Sequence, residues 1–151
     1  MVAALLALGR PPAPGRPADV RAVLGHAAAL VAPVVRHHRV TLELTGAEAA
    51  PTAAVPLAVR LAVAWALEHG AGAATRPPTA PAGDAAPDRS VVLRCNLLAG
   101  AEPTLQVSAA PHDGRPSSAG AADDAVPALL AAYGIRAASD GVAFTATFPA
   151  A

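Results

Sequence analysis

Apolar residues recur at helical spacing from Val20 through Val23, Leu24, Ala27, Leu30 and Val31 to Val34, and Asp19 stands before them as an N-cap. The pattern predicts a helix beginning near Asp19. Pro33 is expected to kink or end it, because proline lacks an amide donor and clashes with the carbonyl four residues back. A period of two takes over from about Arg39 to Thr45, with Val40, Leu42 and Leu44 inward and Thr41, Glu43 and Thr45 outward. From about Pro56 to His69 the apolar residues fall nearly all round a second helix, so it should be covered on more than one side. Pro56 suits its first turn and Gly70 the left-handed position that closes a helix.

Gly72 to Arg89 holds four prolines among Ala, Gly and two Asp; no period survives, which predicts a flexible insertion. Two strands follow, about Ser90 to Leu98 and Thr104 to Ala109, joined by a turn around Gly100. After a second loose stretch, Pro111 to Ala122, a third helix starts at Asp123 or Asp124. It turns Val126, Leu129, Leu130 and Tyr133 inward and stops at Gly134. Ile135 to Ser139, Asp140-Gly141 and Val142 to Phe148 read as a β-hairpin with a type I′ turn. The order is helix, strand, helix, strand, strand, helix, strand, strand. It implies an α+β fold, an α/β sandwich with a mixed, mostly antiparallel five-stranded sheet and about three helices on one face.

Composition narrows the function classes. At 151 residues the chain suits one domain, and with 54% hydrophobic residues it can fill a core. Net charge is zero and every basic side chain is Arg or His, so no general attraction to nucleic acid or anionic lipid is expected; with one Tyr, one Trp and two Phe there is no platform for stacking bases. The single Cys95 excludes an internal disulfide and a multi-Cys zinc site. Alternation with Val91, Leu93 and Leu97 makes it a core thiol. Met1 to Leu8 is apolar but too short to span a bilayer. The chain reads as cytoplasmic.

Several stretches resemble the ATP-binding domain of bacterial histidine kinases and its relatives, gyrase and the anti-sigma-factor kinases among them (the GHKL or Bergerat fold). Ala18-Asp19-Val20-Arg21-Ala22-Val23-Leu24 looks like the entry into that domain's first helix. Met1 to Pro17 looks like the remnant of the preceding dimerisation helix and linker, leaving residues 18–151 as the domain. Trp65-Ala66-Leu67-Glu68-His69-Gly70 looks like the Asn-Ala-x-x-His segment, and Tyr133-Gly134 through Phe148-Pro149 like the closing hairpin.

The departures are informative. The family's Asn-x-x-x-Asn-Ala helix supplies the magnesium-binding Asn, since a hard cation beside phosphates needs oxygen ligands. Trp65 stands there in this chain. Four residues earlier, where kinases carry Asn and hydrolysing relatives a Glu base, stands Leu61. The adenine-reading Asp-x-Gly-x-Gly motif should follow Leu105-Gln106-Val107, and Ala109, Pro111 and Asp113 hold its positions. Arg115 to Gly120 is no glycine-rich phosphate loop. The resemblance therefore implies a degenerate site that has lost ATP and magnesium, with Trp65 pointing into the former nucleotide space and filling part of it.

The remaining polar residues have local explanations. Glu68 and His69 point about 100° apart at the expected helix end, as an exposed carboxylate and a His beside the C-terminal dipole. His26, His37 and His38 lack a flanking carboxylate and read as solvated. Asp123 and Asp124 cap a helix, and Asp113-Gly114 and Asp140-Gly141 are turns. No His precedes His26, so autophosphorylation within this chain is not expected. The resemblance implies a non-catalytic phosphorelay module, a pseudokinase similar to the second domain of histidine phosphotransferases. It would bind a protein partner such as a response-regulator receiver domain or a histidine kinase. The alternatives are a divergent active kinase of the histidine-kinase or anti-sigma-factor type, and a small-ligand binder using the old cavity.

Overall fold

A computed structural model describes residues 17–75, 91–111, 125–139 and 143–151. Two short strands, β1 (Ala18–Asp19) and β3 (Pro51–Thr52), pair antiparallel beside the main sheet, and the alternation pattern did not announce them. The sheet itself has five strands: β2 (Val40–Gly46), β4 (Val91–Leu98), β5 (Thr104–Pro111), β6 (Arg136–Ser139) and β7 (Ala143–Thr147). Their order is β2-β4-β5-β7-β6; β2 and β4 run parallel and the other neighbours antiparallel. Three helices complete the fold, α1 (Val20–Arg36), α2 (Pro56–Thr75) and α3 (Ala125–Ala131). The α+β fold with a mixed five-stranded sheet is therefore present as expected.

Cross-strand rows build the core. Leu42, Leu93 and Ala109 align, as do Leu44, Cys95, Val107 and Phe144, and Leu97, Leu105, Ala146 and Ala137. Every one of these is buried or half-buried beneath the helices. Helix α2 lies over β4, β5 and β7, with α1 against it and β2, and α3 against it and β6. The opposite face is polar: Arg94 pairs with Glu43 at 3.5 Å, Thr45 Oγ1 donates to Asn96 at 3.2 Å, and Arg136 pairs with Glu102.

Asp19 caps α1 as expected, and its carboxylate does a second job. It accepts from the amides of Arg21 and Ala50, both at 2.9 Å, so one side chain ties the helix start to the segment before β3. Thr52, fully buried, donates to the Pro149 carbonyl at 2.6 Å and accepts from the Ala54 amide at 3.1 Å.

Several boundaries differ from the sequence reading. Helix α1 continues past Pro33 to Arg36, because Val35 beyond the proline is buried; Val34, expected inward, is 60% exposed. Helix α2 does not close at Gly70 but runs to Thr75, taking the first residues of the expected insertion. Gly70 is there for contact: a Cβ on it would lie 2.5 Å from Val107 Cγ1 and 3.0 Å from Leu93 Cδ1. Strand β5 extends to Pro111. Leu130 of α3 is buried, but Leu129 and, just beyond the helix, Tyr133 are about half exposed rather than inward. Gly134 closes the turn after α3 with φ 77°, as expected.

In the last hairpin Ser139 pairs with Phe144, which leaves four residues between them. A two-residue turn at Asp140-Gly141 would have set Ser139 opposite Val142. A shift of two keeps every side chain on its own face, so alternation could not tell the two registers apart. Asp140, Gly141, residues 1–16, the insertion from Arg76 to Arg89, and Asp113, Asp123 and Asp124 lie outside the described residues.

Candidate functional site

The site to be tested lies where α2 crosses the sheet. Leu61, Trp65 and His69 follow one another at four-residue spacing and share one face of α2. Phe144 reaches Trp65 and His69 from β7, where it sits opposite Val107 of β5. Trp65 is 3% exposed, and its ring meets Phe144 edge-on at 5.6 Å between centroids and His69 edge-on at 5.7 Å. His69 stacks on Phe144 at 5.4 Å, with the planes 23° apart. These are the favoured offset and edge-to-face arrangements of aromatic rings.

The chemistry of this face is apolar. Leu61 is half-buried and packs on the core. Besides the His69 imidazole, this face carries the Trp65 Nε1–H, which is buried and finds no acceptor. A buried donor without a partner keeps its desolvation cost. Ala109 is 2% exposed on β5, in the row with Leu42 and Leu93. Pro111 ends β5 opposite Val91. Leu61 and Trp65 are thus brought onto one face, Ala109 and Pro111 lie on the strand that α2 crosses, and Asp113 lies outside the described residues. Among the described residues no group of three or more His, Cys, Asp or Glu is placed to hold a metal ion.

His69 is the residue that the sequence reading misplaced. Assigned to a helix end, it lies six residues inside α2 as part of the ring cluster. Its spacing from Trp65 carried the signal, but an expected stop at Gly70 hid it. Glu68, His26, His37 and His38 are at least partly solvated, with Glu68, His26, His37 and His38 all exposed. Cys95 is fully buried, and burial pushes its thiol from 9.0 up to about 12, as a core thiol requires. No helix among the described residues is long and apolar enough to cross a membrane.

Order, topology and the crossing helix are those of histidine-kinase catalytic domains, and comparison with solved structures shows this fold. The catalytic domain of the histidine kinase ThkA superposes with a TM-score of 0.62 over 88% of this chain and 94% of that chain, at 9% identity. The histidine kinase domain of the blue-light activated kinase from Erythrobacter litoralis EL346 gives 0.60 over 98% of this chain and 69% of that one, at 14% identity. Full-length ShkA, solved in complex with AMPPNP, gives 0.58 over 99% of this chain and 34% of that one, at 14% identity. No family model matches the sequence, and none of the curated proteins does.

Proposed function

We propose that this chain is a histidine-kinase-type ATPase fold that has lost ATP chemistry and serves two-component signalling by binding a protein partner, such as a receiver domain. The observation that carries the reading is the apolar face of α2. At the position where the family presents a magnesium-binding Asn, Trp65 is buried against Phe144 and His69. One turn earlier, Leu61 offers no oxygen. A magnesium ion needs near-octahedral oxygen ligands, and neither side chain supplies one. The residues present therefore do not fit the metal. Ala109 and Pro111 support the same reading on β5, since neither accepts a hydrogen bond through its side chain from an adenine amino group.

A protein-binding role follows from what is left: a fold that fills its core around the former site keeps its outer surfaces for docking. Calorimetric titration with ATP and ADP, with and without magnesium, tests the reading. No heat of binding is expected at micromolar nucleotide. Micromolar, magnesium-dependent binding would overturn it in favour of a divergent active kinase.

A further inference from the structure

Strand β2 forms one edge of the five-stranded sheet. β4 pairs with it along all seven residues, and among the described residues no strand pairs with its other side. An edge strand holds a row of amides and carbonyls outward, where they can template the addition of another strand. The opposite edge, β6, is blunted by its length of only four residues. β2 is longer, and has no proline, lysine or bulge within it. Apolar surface also runs out to this edge. Leu42 and Leu44 are only half-buried, although their neighbours on β4, Leu93 and Cys95, are fully buried.

We propose that the partner of this edge is a second copy of the chain, with β2 pairing antiparallel to its own counterpart. A two-fold axis perpendicular to the sheet keeps facing residues on one face, so apolar positions meet apolar ones and polar meet polar. The two sheets become one, with the helices of both copies on the same side. Charge favours this partner: Glu43, the one charged residue of the strand, is answered by Arg94 of its own chain, so the edge approaches its copy with little net charge. Residue identities also place the axis. Centred on Glu43, it would set two carboxylates directly opposite, which is unfavourable. Centred on Leu44, it would set Leu42 opposite Gly46, whose φ of 98° departs from strand geometry. Centred on Leu42, it sets Leu42 opposite Leu42, Val40 opposite Leu44, and Thr41 opposite Glu43, where a hydroxyl can donate to a carboxylate. A slip of one residue would put leucines opposite threonine and glutamate. The inference goes beyond the proposed function and holds whether or not nucleotide binds.

The test is analytical ultracentrifugation of the full chain over roughly a hundredfold range of concentration, in which monomer should give way to dimer. Thr41 is exposed, so its variants should fold, and thermal unfolding of each at low concentration checks that they do. Thr41→Glu sets a carboxylate opposite Glu43 of the copy, twice by symmetry, and should weaken the dimer about tenfold. Thr41→Arg makes those pairs attractive and should strengthen it about threefold or more. Hydrogen exchange gives a second readout. The β2 amides that point away from β4 should exchange more slowly as concentration rises, while those bonded to β4 stay as they are. A chain that remains monomeric throughout overturns the proposal, and so does a dimer that both Thr41 variants leave unchanged. Protection of the outward amides that does not depend on concentration overturns it too, because a segment of the same chain would then cover the edge.

Discussion

Trp65 buries a large ring while its Nε1–H goes without an acceptor. Leaving such a donor unsatisfied costs about 1–3 kcal/mol. Trp65→Phe deletes the donor and keeps much of the ring, so urea unfolding followed by circular dichroism should find stability within about 1 kcal/mol of the parent, or above it. Trp65→Ala, which empties the space against Phe144 and His69, should cost about 3–5 kcal/mol. A phenylalanine variant as unstable as the alanine one would mean that the indole N–H is satisfied after all. Cys95 makes a second residue-scale prediction. Its thiol is raised from 9.0 to about 12 by burial, so the folded chain stays protonated where the unfolded chain ionises. The raised value means that its contribution is whole below pH 9 and is lost as pH climbs from 9 towards 12, by at most ~4 kcal/mol at the upper end. Cys95→Ala should flatten the decline across that window relative to the parent, and a parallel decline in both proteins would sink the assignment.

At the scale of elements, two glycines of α2 with the same residue type should behave oppositely. A Cβ at Gly70 would press on Val107 and Leu93, whereas one at Gly72 meets nothing within 4 Å. Gly70→Ala is expected to destabilise by about 1–3 kcal/mol through overpacking. Gly72→Ala should stabilise by roughly 0.5–1 kcal/mol, because alanine loses less backbone freedom in a helix. Thermal unfolding of the two variants decides, and equal shifts would contradict the contact. The same pair explains why this helix was only half legible in the sequence. Its apolar residues and Pro56 marked the element and its start, but a glycine needed for close approach reads like one that closes a helix. Pro33 misled in a similar way: its missing donor was visible, whereas the burial of Val35 beyond it was not. Helix and strand order was recoverable because it depends on local periodicity. The two-residue strands β1 and β3 were not, because their pairing rests on Asp19 and Thr52 bonding to segments far along the chain. Leu61 and Trp65 could be singled out through the resemblance to the histidine-kinase helix, whereas the Phe144 that packs on Trp65 needed the fold.

For the whole molecule the decisive quantity is how ligand binding couples to stability. A ligand that binds only the folded state adds about 2.7 kcal/mol at a hundredfold excess over its dissociation constant and about 4 kcal/mol at a thousandfold excess. In a domain of this size 1 kcal/mol moves the melting temperature by about 2–4 °C. A site with micromolar affinity, given roughly millimolar magnesium-ATP, would therefore raise it by about 10 °C. With Leu61 and Trp65 on the crossing helix, the shift is expected to stay below about 1 °C. Magnesium dependence separates the ways in which this can fail. A large shift that vanishes with a chelator would restore a metal-assisted nucleotide site and overturn the pseudokinase reading. A modest shift that survives the chelator and is matched by inorganic triphosphate would instead be anion capture that needs neither magnesium nor the adenine base. That second outcome leaves the apolar face of α2 without a part in nucleotide binding.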